Sequence, residues 1–296
     1  MREIGQADTS PAALARTARE LVASAMAGDY PADPLIDSEL SGGLSTISSV
    51  VKRHGWLLQT TTAHALAASG RFVVWTDVPL PLTKAARALL DGKNSRTDLA
   101  RIRLPADSEA DRMVTFDLVV VDPVAAWAGV YEMKRGNGTT ETRKRLPIEQ
   151  SLQAGRLVLP SFLEKLGYKG IERVTSAVID YYGNAGFSPD LTLTREQLDA
   201  HFSVPVVATV EAMTTALHDA LEAELPRLFG PYLDRIGRKE ATTIAVAAGS
   251  GTVGADLKNA AVMQILSARP VGPGLRPTDR PVPATSTAQV AAAPAF

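Results

Sequence analysis

The stretch that decides the fold is FDLVVVDPVAAWAGVYEMKRGNG, residues 116–138. Two apolar runs rich in β-branched residues flank the turn-forming Asp122 and its proline, and this pattern predicts two buried strands with a short connection. Charged side chains interrupt the runs at Asp117, Glu132 and Lys134. Burying such charges costs several kcal/mol unless they are paired or bind a cation, so their placement indicates a site.

The spacing of the three charged residues brings them together. Side chains alternate faces along a strand, so Glu132 and Lys134 point the same way. The interval from Asp117 to Glu132 (132 − 117 = 15 positions) is long enough for a strand to end, turn and return antiparallel. We therefore expect the three side chains to converge at one end of a sheet.

This group of residues predicts a magnesium site. Mg²⁺ prefers oxygen ligands and keeps several waters, so the carboxylates of Asp117 and Glu132 suffice to hold it, with the backbone carbonyl of Met133 as a third ligand. Mn²⁺ is expected to substitute for it. Beside the cation, Lys134 would position or deprotonate the attacking water and offset charge in the transition state.

Around these strands the sequence predicts a defined order of elements. Over residues 35–183 the order is helix, strand, strand, strand, helix, strand. The first helix is predicted as two pieces divided near Gly55, and the first strand runs through RFVVWTDVPLPLT (71–83) as far as its prolines. LARIRLP (99–105) is predicted as a further short strand.

The D…EMK pattern on two strands, within this order of elements, resembles the PD-(D/E)XK or restriction-endonuclease-like nuclease superfamily. The resemblance covers about half of the chain, residues 35–185. It implies an α/β fold with an αβββαβ core, a mixed central sheet flanked by helices, and Mg²⁺-dependent cleavage of DNA by an endonuclease. Asp117 and Glu132 would be the metal ligands and Lys134 the catalytic lysine. Phe116 stands where the family's name has proline, a position that varies widely.

The resemblance also implies further site residues on helices. Many members carry a glutamate in the helix before the first strand, and Glu39 is the acidic candidate for it here. A polar residue often follows in the helix after the lysine, where Gln150 and Gln153 lie three apart on one helix face. The alternative for both glutamines is an ordinary exposed helix surface.

A basic stretch next to the site predicts contact with nucleic acid. YEMKRGNGTTETRKR (131–145) contains five cations, which are Lys134, Arg135, Arg143, Lys144 and Arg145. Excess positive charge beside a metal site suits a phosphate backbone, although a solvated loop is the alternative. A smaller basic point lies in the first helix, at Lys52, Arg53 and His54.

Other interpretations remain open. Lys134 could simply neutralise Glu132 at the sheet rim while Asp117 caps a turn, which would leave a non-catalytic DNA-binding module of the same fold in a defence or repair assembly. A nucleotide-dependent enzyme is a third possibility, because Gly249, Gly251 and Gly254 form a G-x-G-x-x-G run. Too few residues follow that run to complete a dinucleotide-binding unit.

Composition sets the outer limits. The chain has 296 residues, no cysteine and a net charge of −1, which excludes disulfide frameworks, thiolate metal sites and a wholly basic coat for nucleic acid. Four histidines without HxH or HxxxH spacing make zinc a poor candidate. Lacking an apolar leader or membrane-length run, the chain is expected to be soluble and cytoplasmic, with DNA as partner, no membrane contact and a possible homodimer.

The predicted organisation has four parts. An N-terminal helical extension occupies 1–34, the nuclease-like core 35–187 and a mainly helical C-terminal region 188–268. The tail, 269–296, is rich in proline and alanine and is predicted to be disordered.

Overall fold

The computed structural model describes residues 1–5, 8–92, 94 and 96–247. The chain from Met1 to Tyr232 forms one compact unit, and a second unit begins at Leu233. The helices are α1 (Pro11–Met26), α2 (Ser38–Ala68), α3 (Lys84–Asp91), α4 (Arg96–Arg101), α5 (Thr142–Lys165), α6 (Arg195–Phe202) and α7 (Val206–Ala247). The strands are β1 (Arg2–Glu3), β2 (Val73–Thr83), β3 (Ala110–Asp122), β4 (Trp127–Lys134), β5 (Arg173–Asp180) and β6 (Thr192–Leu193).

The strands form one mixed six-stranded sheet in the order β1-β2-β3-β4-β5-β6. The pairs β1-β2, β2-β3 and β3-β4 are antiparallel, and the pairs β4-β5 and β5-β6 are parallel. The predicted α/β class, with helices around a mixed sheet and a helical region after it, is confirmed. From α2 to β5 the order is also as predicted, with α3 and α4 placed between the first two strands of the expected core.

The decisive stretch folds as β3, a tight turn and β4. Asp122 ends β3, and its carboxylate accepts hydrogen bonds from the backbone N–H groups of Val124 and Ala125 at 3.1 and 2.8 Å. Arg71 donates to the other oxygen of the same carboxylate at 2.6 Å. The predicted role of Asp122 as a turn residue is therefore confirmed, because its charge is satisfied within the connection.

Helices cover both faces of the sheet. On one face, which we call the α5 face, helix α5 packs against Val119, Val121 and Val130. On the other, the α2 face, helices α2, α6 and α7 pack against a second set of strand residues, which comprises Val74, Leu118, Val120, Tyr131, Met133 and Ile179. β3 and β4 are therefore apolar on both sides, as their near-continuous apolar sequences predict.

Helix α2 is a single helix of 31 residues and is not divided at Gly55. It begins after Asp37, whose carboxylate accepts from the N–H groups of Glu39 and Leu40. An interior glycine costs a helix about 1 kcal/mol, which is small beside the burial of apolar side chains along α2, such as Leu57 and Leu66. The predicted break is therefore wrong.

Two predicted strand features differ from the structure. β2 continues through Pro79 and Pro81, because β1 covers only Trp75 and Thr76 and the rest of β2 is a sheet edge in the described part of the chain. At an edge, the missing proline N–H removes no ladder hydrogen bond. Residues 99–105 do not form a strand. Residues 99–101 end α4, residues 102–105 follow it, and the N–H of Leu104 donates to the carbonyl of Leu157 in α5 at 2.8 Å.

The C-terminal region is helical, as predicted. α6 begins at a capping box between Thr194 and Gln197. α7 continues through Pro226 and Pro231, and residues 242–247 continue the helix although their sequence, TTIAVA, is strand-like. The glycine run at 249–254 and the tail 269–296 lie outside the described residues. Among the described helices, none has the length and apolar character that crossing a membrane requires.

Candidate active site

The candidate residues lie where β3 and β4 separate. The two strands pair from Asp122–Trp127 to Leu118–Tyr131. Beyond that point β4 stays with β5 as far as Lys134–Asp180, whereas β3 continues along β2. We call the gap that opens between Asp117 and the segment from Glu132 to Lys134 the fork.

Asp117 is held at the fork from two sides. Its carboxylate accepts a hydrogen bond from the backbone N–H of Met133 at 2.6 Å, across the gap. Its own carbonyl accepts from the side-chain amide of Gln59 in α2 at 2.8 Å. The side of β3 that has lost its ladder partners in β4 is thereby fixed in position.

Burial, then the charge of Glu132 and, least, the charge of Asp77 raise the pKa of Asp117, in total to about 6. The N–H of Met133 and the ammonium of Lys134 act in the opposite direction. The free carboxylate is thus held in a site that disfavours its negative charge. A cation bound at the fork would relieve that cost.

Glu132 and Lys134 point to the α5 face, because Ala128 and Val130 at the same parity of β4 lie in the core on that face. The ammonium of Lys134 donates to the Glu132 carboxylate at 2.5 Å, with 29 % and 18 % of the side chains exposed. The predicted shared face is confirmed. This contact is also the ion pair that the alternative interpretation expects.

The carbonyl of Met133 faces the fork. In a strand, the N–H and C=O of one residue point to the same edge, and successive residues alternate. The carbonyl of Lys134 accepts from Tyr181 in the direction of β5 at 3.0 Å, and the N–H of Met133 donates towards β3. The Met133 carbonyl therefore points to the side on which Asp117 lies.

The donor set fits Mg²⁺. Two carboxylates and one backbone carbonyl leave several positions for water, which is the usual situation of this cation in proteins. Within the described residues, no group of three or more histidine, aspartate or glutamate side chains is arranged to hold a metal ion. A cation at the fork would have these three oxygen ligands and would complete its coordination with water.

Glu39 is not brought to the fork. It lies in the first turn of α2 and is exposed. Gln59, which contacts Asp117, lies 59 − 39 = 20 residues further along the same helix, about 30 Å at 1.5 Å per residue. The separation follows from the continuity of α2, because a break at Gly55 would have been needed to fold Glu39 back.

Gln150 and Gln153 lie on α5, exposed and half-buried respectively. In the part of the chain that the structure describes, no hydrogen bond joins either glutamine to Asp117, Glu132 or Lys134. The helix itself packs close to the fork, since a Cβ placed on Gly155 would lie 2.8 Å from the ring of Phe116. Helix α5 therefore lies against the strand that carries Asp117 at Gly155.

Arg135 directly follows Lys134, the last residue of β4. Its guanidinium is 5.9 Å from the centre of the Tyr182 ring, and its buried Nε has no hydrogen-bond partner among the described residues. The pKa of His54 in α2 is lowered to about 4, mainly by burial of the imidazole and secondly by the positive charge of Arg135. Arg135 therefore belongs to the α2 face, where it sits among buried groups.

The three remaining basic residues lie in the first turn of α5. Arg143 and Lys144 are exposed and pair with Glu141 at 2.9 and 3.5 Å. Arg145 is half-buried and donates to Thr142 at 2.9 Å. Cations at a helix N-terminus are disfavoured by the helix dipole, and Glu141 offsets part of that cost. Their contact with nucleic acid stays a prediction.

The smaller basic point in α2 is reduced to one available cation. The Arg53 guanidinium donates to the carbonyl of Leu21 at 3.3 Å. His54 is buried and, with its lowered pKa, neutral at pH 7. Lys52 alone is exposed and forms no ion pair with any described residue.

Sequence reasoning missed Asp77 and Gln59. Asp77 interrupts a β-branched run much as Asp117 does, a signal that was present in WTDVPL. Gln59 gave no comparable signal, because one glutamine in a helix full of serine and threonine is unremarkable. Only the packing of α2 across the sheet brings Gln59 to Asp117.

Comparison of the chain with protein-family models, with curated proteins and with solved structures finds no match. No family is therefore assigned to the chain, and its function is inferred from the fork.

Proposed function

We propose that this protein is a Mg²⁺-dependent DNA nuclease, an endonuclease of the restriction type with a restriction-endonuclease-like core, which hydrolyses phosphodiester bonds. One observation carries the proposal: Asp117, Glu132 and Lys134 meet at the fork, with the carbonyl of Met133 directed into the same gap. The order α2, β2, β3, β4, α5, β5 supports the core assignment.

Asp117, Glu132 and the Met133 carbonyl would hold Mg²⁺. When bound, the cation supplies Lewis-acid activation of the phosphodiester and of the water that attacks it. Lys134 lies next to Glu132, from where its ammonium holds the attacking water and offsets negative charge on the phosphoryl oxygens. The water oxygen bonds to phosphorus as the bond to the leaving ester oxygen breaks. The attacking water releases its proton to solvent, and the leaving oxygen takes a proton from solvent.

Cleavage of supercoiled plasmid DNA with Mg²⁺ or Mn²⁺, and with EDTA as blank, tests this proposal. Lys134→Ala and Asp117→Ala should each abolish cleavage, with folding checked by circular dichroism. Lys84 and Glu109 provide a matched control, since they form an ion pair of the same 2.5 Å length away from the fork. Lys84→Ala should cleave as the wild type does. Retained cleavage by the Lys134→Ala variant would contradict the proposal.

A non-catalytic DNA-binding module of the same fold is the second candidate. The short Lys134–Glu132 ion pair favours it, because the lysine is already neutralised without any substrate. DNA binding without cleavage under every divalent cation tested would establish this alternative. Cleavage of both strands at one position would instead indicate two active sites, and hence the homodimer expected from the sequence.

A further inference from the structure

Helix α2 extends past the end of β4 at the fork. Thr62, Ala63 and Leu66 are fully buried on the α2 face. One turn earlier on the same side of the helix, Gln59 reaches the carbonyl of Asp117. The earlier part of α2 therefore continues beyond the end of β4, next to the gap that holds the candidate site.

The side of the helix that carries Gln59 is open in that earlier part. Stepping back by three or four residues from Gln59 gives Trp56, Lys52 and Ser48, which share one side of the helix. All three are exposed, and we call them the open face of α2. The face is continuous with the fork, because neighbours at this spacing are about 5–6 Å apart at Cβ.

Trp56 differs from the other two tryptophans. It is 56 % exposed, whereas Trp75 is 3 % exposed in the core. Trp127 is half-buried, with its ring against those of Phe72 and Phe202. The indole is left open on a helix side that also carries Lys52, one turn from Gln59, which contacts Asp117, and it is available to a ligand.

We propose that the open face of α2 binds single-stranded DNA beside the scissile phosphodiester, with the Trp56 indole stacked on an unpaired base and the Lys52 ammonium on a backbone phosphate. This inference rests on the proposed nuclease function and narrows its substrate from continuous duplex DNA to DNA that is unpaired beside the scissile phosphodiester. Stacking on an aromatic ring requires a base with a free face, which a single strand offers and a continuous duplex does not. Lys52 supplies the complementary charge.

The local chemistry favours nucleic acid over a second copy of the chain. An apolar seam between two helices would need apolar residues at successive turns, whereas the turns here carry Ser48, Lys52 and Trp56. Arg53 is engaged with Leu21, so Lys52 provides the positive charge of this face. A cation next to an exposed aromatic ring is the usual pairing in sites for single strands.

Tryptophan fluorescence tests the inference in EDTA, where cleavage cannot occur. Titration with a 20-nucleotide oligothymidylate should quench emission, and Trp56→Ala should remove the quench and weaken binding about tenfold or more, as measured by anisotropy of a labelled oligonucleotide. Trp56→Phe should lose less affinity, because a smaller ring remains. Lys52→Ala should make the slope of log binding constant against log salt concentration shallower by about the amount expected for one phosphate contact.

Leu44 gives the matched control, since it is an exposed apolar residue on the same helix, 45 % exposed and 12 positions from Trp56. Leu44→Ala should bind as the wild type does. A duplex of equal length should bind more weakly, without the Trp56 quench. Equal quenching by the duplex would overturn the single-strand assignment.

The failure of this inference is separable from that of the proposed function. If the wild type cleaves DNA but Trp56→Ala binds and cleaves normally, the open face is not the contact and the nuclease proposal stands. If Trp56→Ala instead changes the sedimentation mass of the protein, the face is a protein interface and the inference is wrong. If neither binding nor cleavage occurs, both proposals fail.

Discussion

Asp77 lies opposite Asp117 in the β2-β3 ladder, between the pairs Thr76–Leu118 and Val78–Phe116. Both strands change face at this point. Trp75 and Val78 are three residues apart, yet both lie in the core on the α5 face, as do Phe116 and Val119. Strict alternation would place residues three apart on opposite faces. Because β2 and β3 change face at the same point, their pairing register continues across it. The exposed carboxylate of Asp77 and the half-buried carboxylate of Asp117 are thereby placed side by side.

The backbone at Asp77 predicts a clear order among substitutions there. Its φ is 52°, in the left-handed region that asparagine and aspartate tolerate and β-branched residues avoid. Asp77→Val should therefore lower the free energy of unfolding by about 1–2 kcal/mol relative to Asp77→Asn. Urea denaturation measures the difference. Thr115→Val, at an exposed position of β3 without positive φ, should be close to neutral, and an equal loss there would remove the backbone explanation.

Asp117→Asn should stabilise the metal-free protein at neutral pH. The folded-state pKa of Asp117 is raised from 3.8 to about 6, so the protonated form is favoured by folding. That contribution is present below pH 3.8 and lost as the pH rises through 6. Two pKa units correspond to about 3 kcal/mol at most, so in EDTA at pH 7.5 the variant should unfold at higher urea than the wild type.

Two controls complete this experiment. At pH 3.5 the wild type and the D117N variant should have similar stability, because the carboxyl group is then protonated in both states. Adding Mg²⁺ at pH 7.5 should stabilise the wild type and leave D117N unchanged. A variant less stable than the wild type at pH 7.5 would mean that the carboxylate is favourable at the fork and that burial does not dominate.

The residues of the fork that the sequence predicted are those fixed by local rules. Glu132 and Lys134 share a face because strand side chains have period two, and Asp117 lies nearby because a short turn forces β4 back along β3. These relations hold within a single hairpin. Asp77 depends instead on the register between β2 and β3, about forty residues apart in sequence, which no local pattern specifies.

The helices show the same limit. Nothing in the segment around Gly55 reveals that tertiary packing keeps α2 continuous, and this alone separates Glu39 from the fork. Residues 242–247 have strand-like composition but continue α7. β propensity takes effect only where a sheet offers a partner. The type of an element was therefore predictable where its apolar residues recur with a helix or strand period. Which elements would pack against it was not predictable from the sequence.

Two helix-internal glycines predict opposite effects of alanine. A Cβ at Gly155 would lie 2.8 Å from the Phe116 ring, next to Asp117, whereas a Cβ at Gly55 meets nothing within 4 Å. Gly155→Ala should displace Phe116 and lower both stability and plasmid cleavage. Gly55→Ala should raise the free energy of unfolding by up to about 1 kcal/mol through helix propensity alone. Thermal denaturation and plasmid cleavage of both variants test this prediction. If both substitutions stabilise the protein, the Phe116 ring can move aside without loss of stability.

His54 predicts an acid-dependent loss of stability that opposes the effect of Asp117. Its pKa is lowered from 6.5 to about 4 by burial and then by Arg135, while Glu211 acts the other way. The unfolded chain therefore binds more protons between pH 6.5 and 4, and the free energy of unfolding falls in that window by on the order of 3 kcal/mol. His54→Gln should remove this fall, as urea denaturation at pH 7 and pH 4.5 would measure.

Arg135 and Glu211 shift the pKa of His54 in opposite directions, and substitution of each one tests the direction of its effect. Arg135→Gln removes a repelling cation, so the pKa of His54 should rise towards 6.5, whereas Glu211→Gln should lower it further. Ring-proton NMR follows the titration directly. Because burial is the first cause of the shift, Arg135→Gln should recover only part of it. If the pKa of His54 returned fully to 6.5, the charge of Arg135 would be the main cause of its shift. The loss of stability in acid would then be due to Arg135 and not to the burial of His54 between α2 and α7.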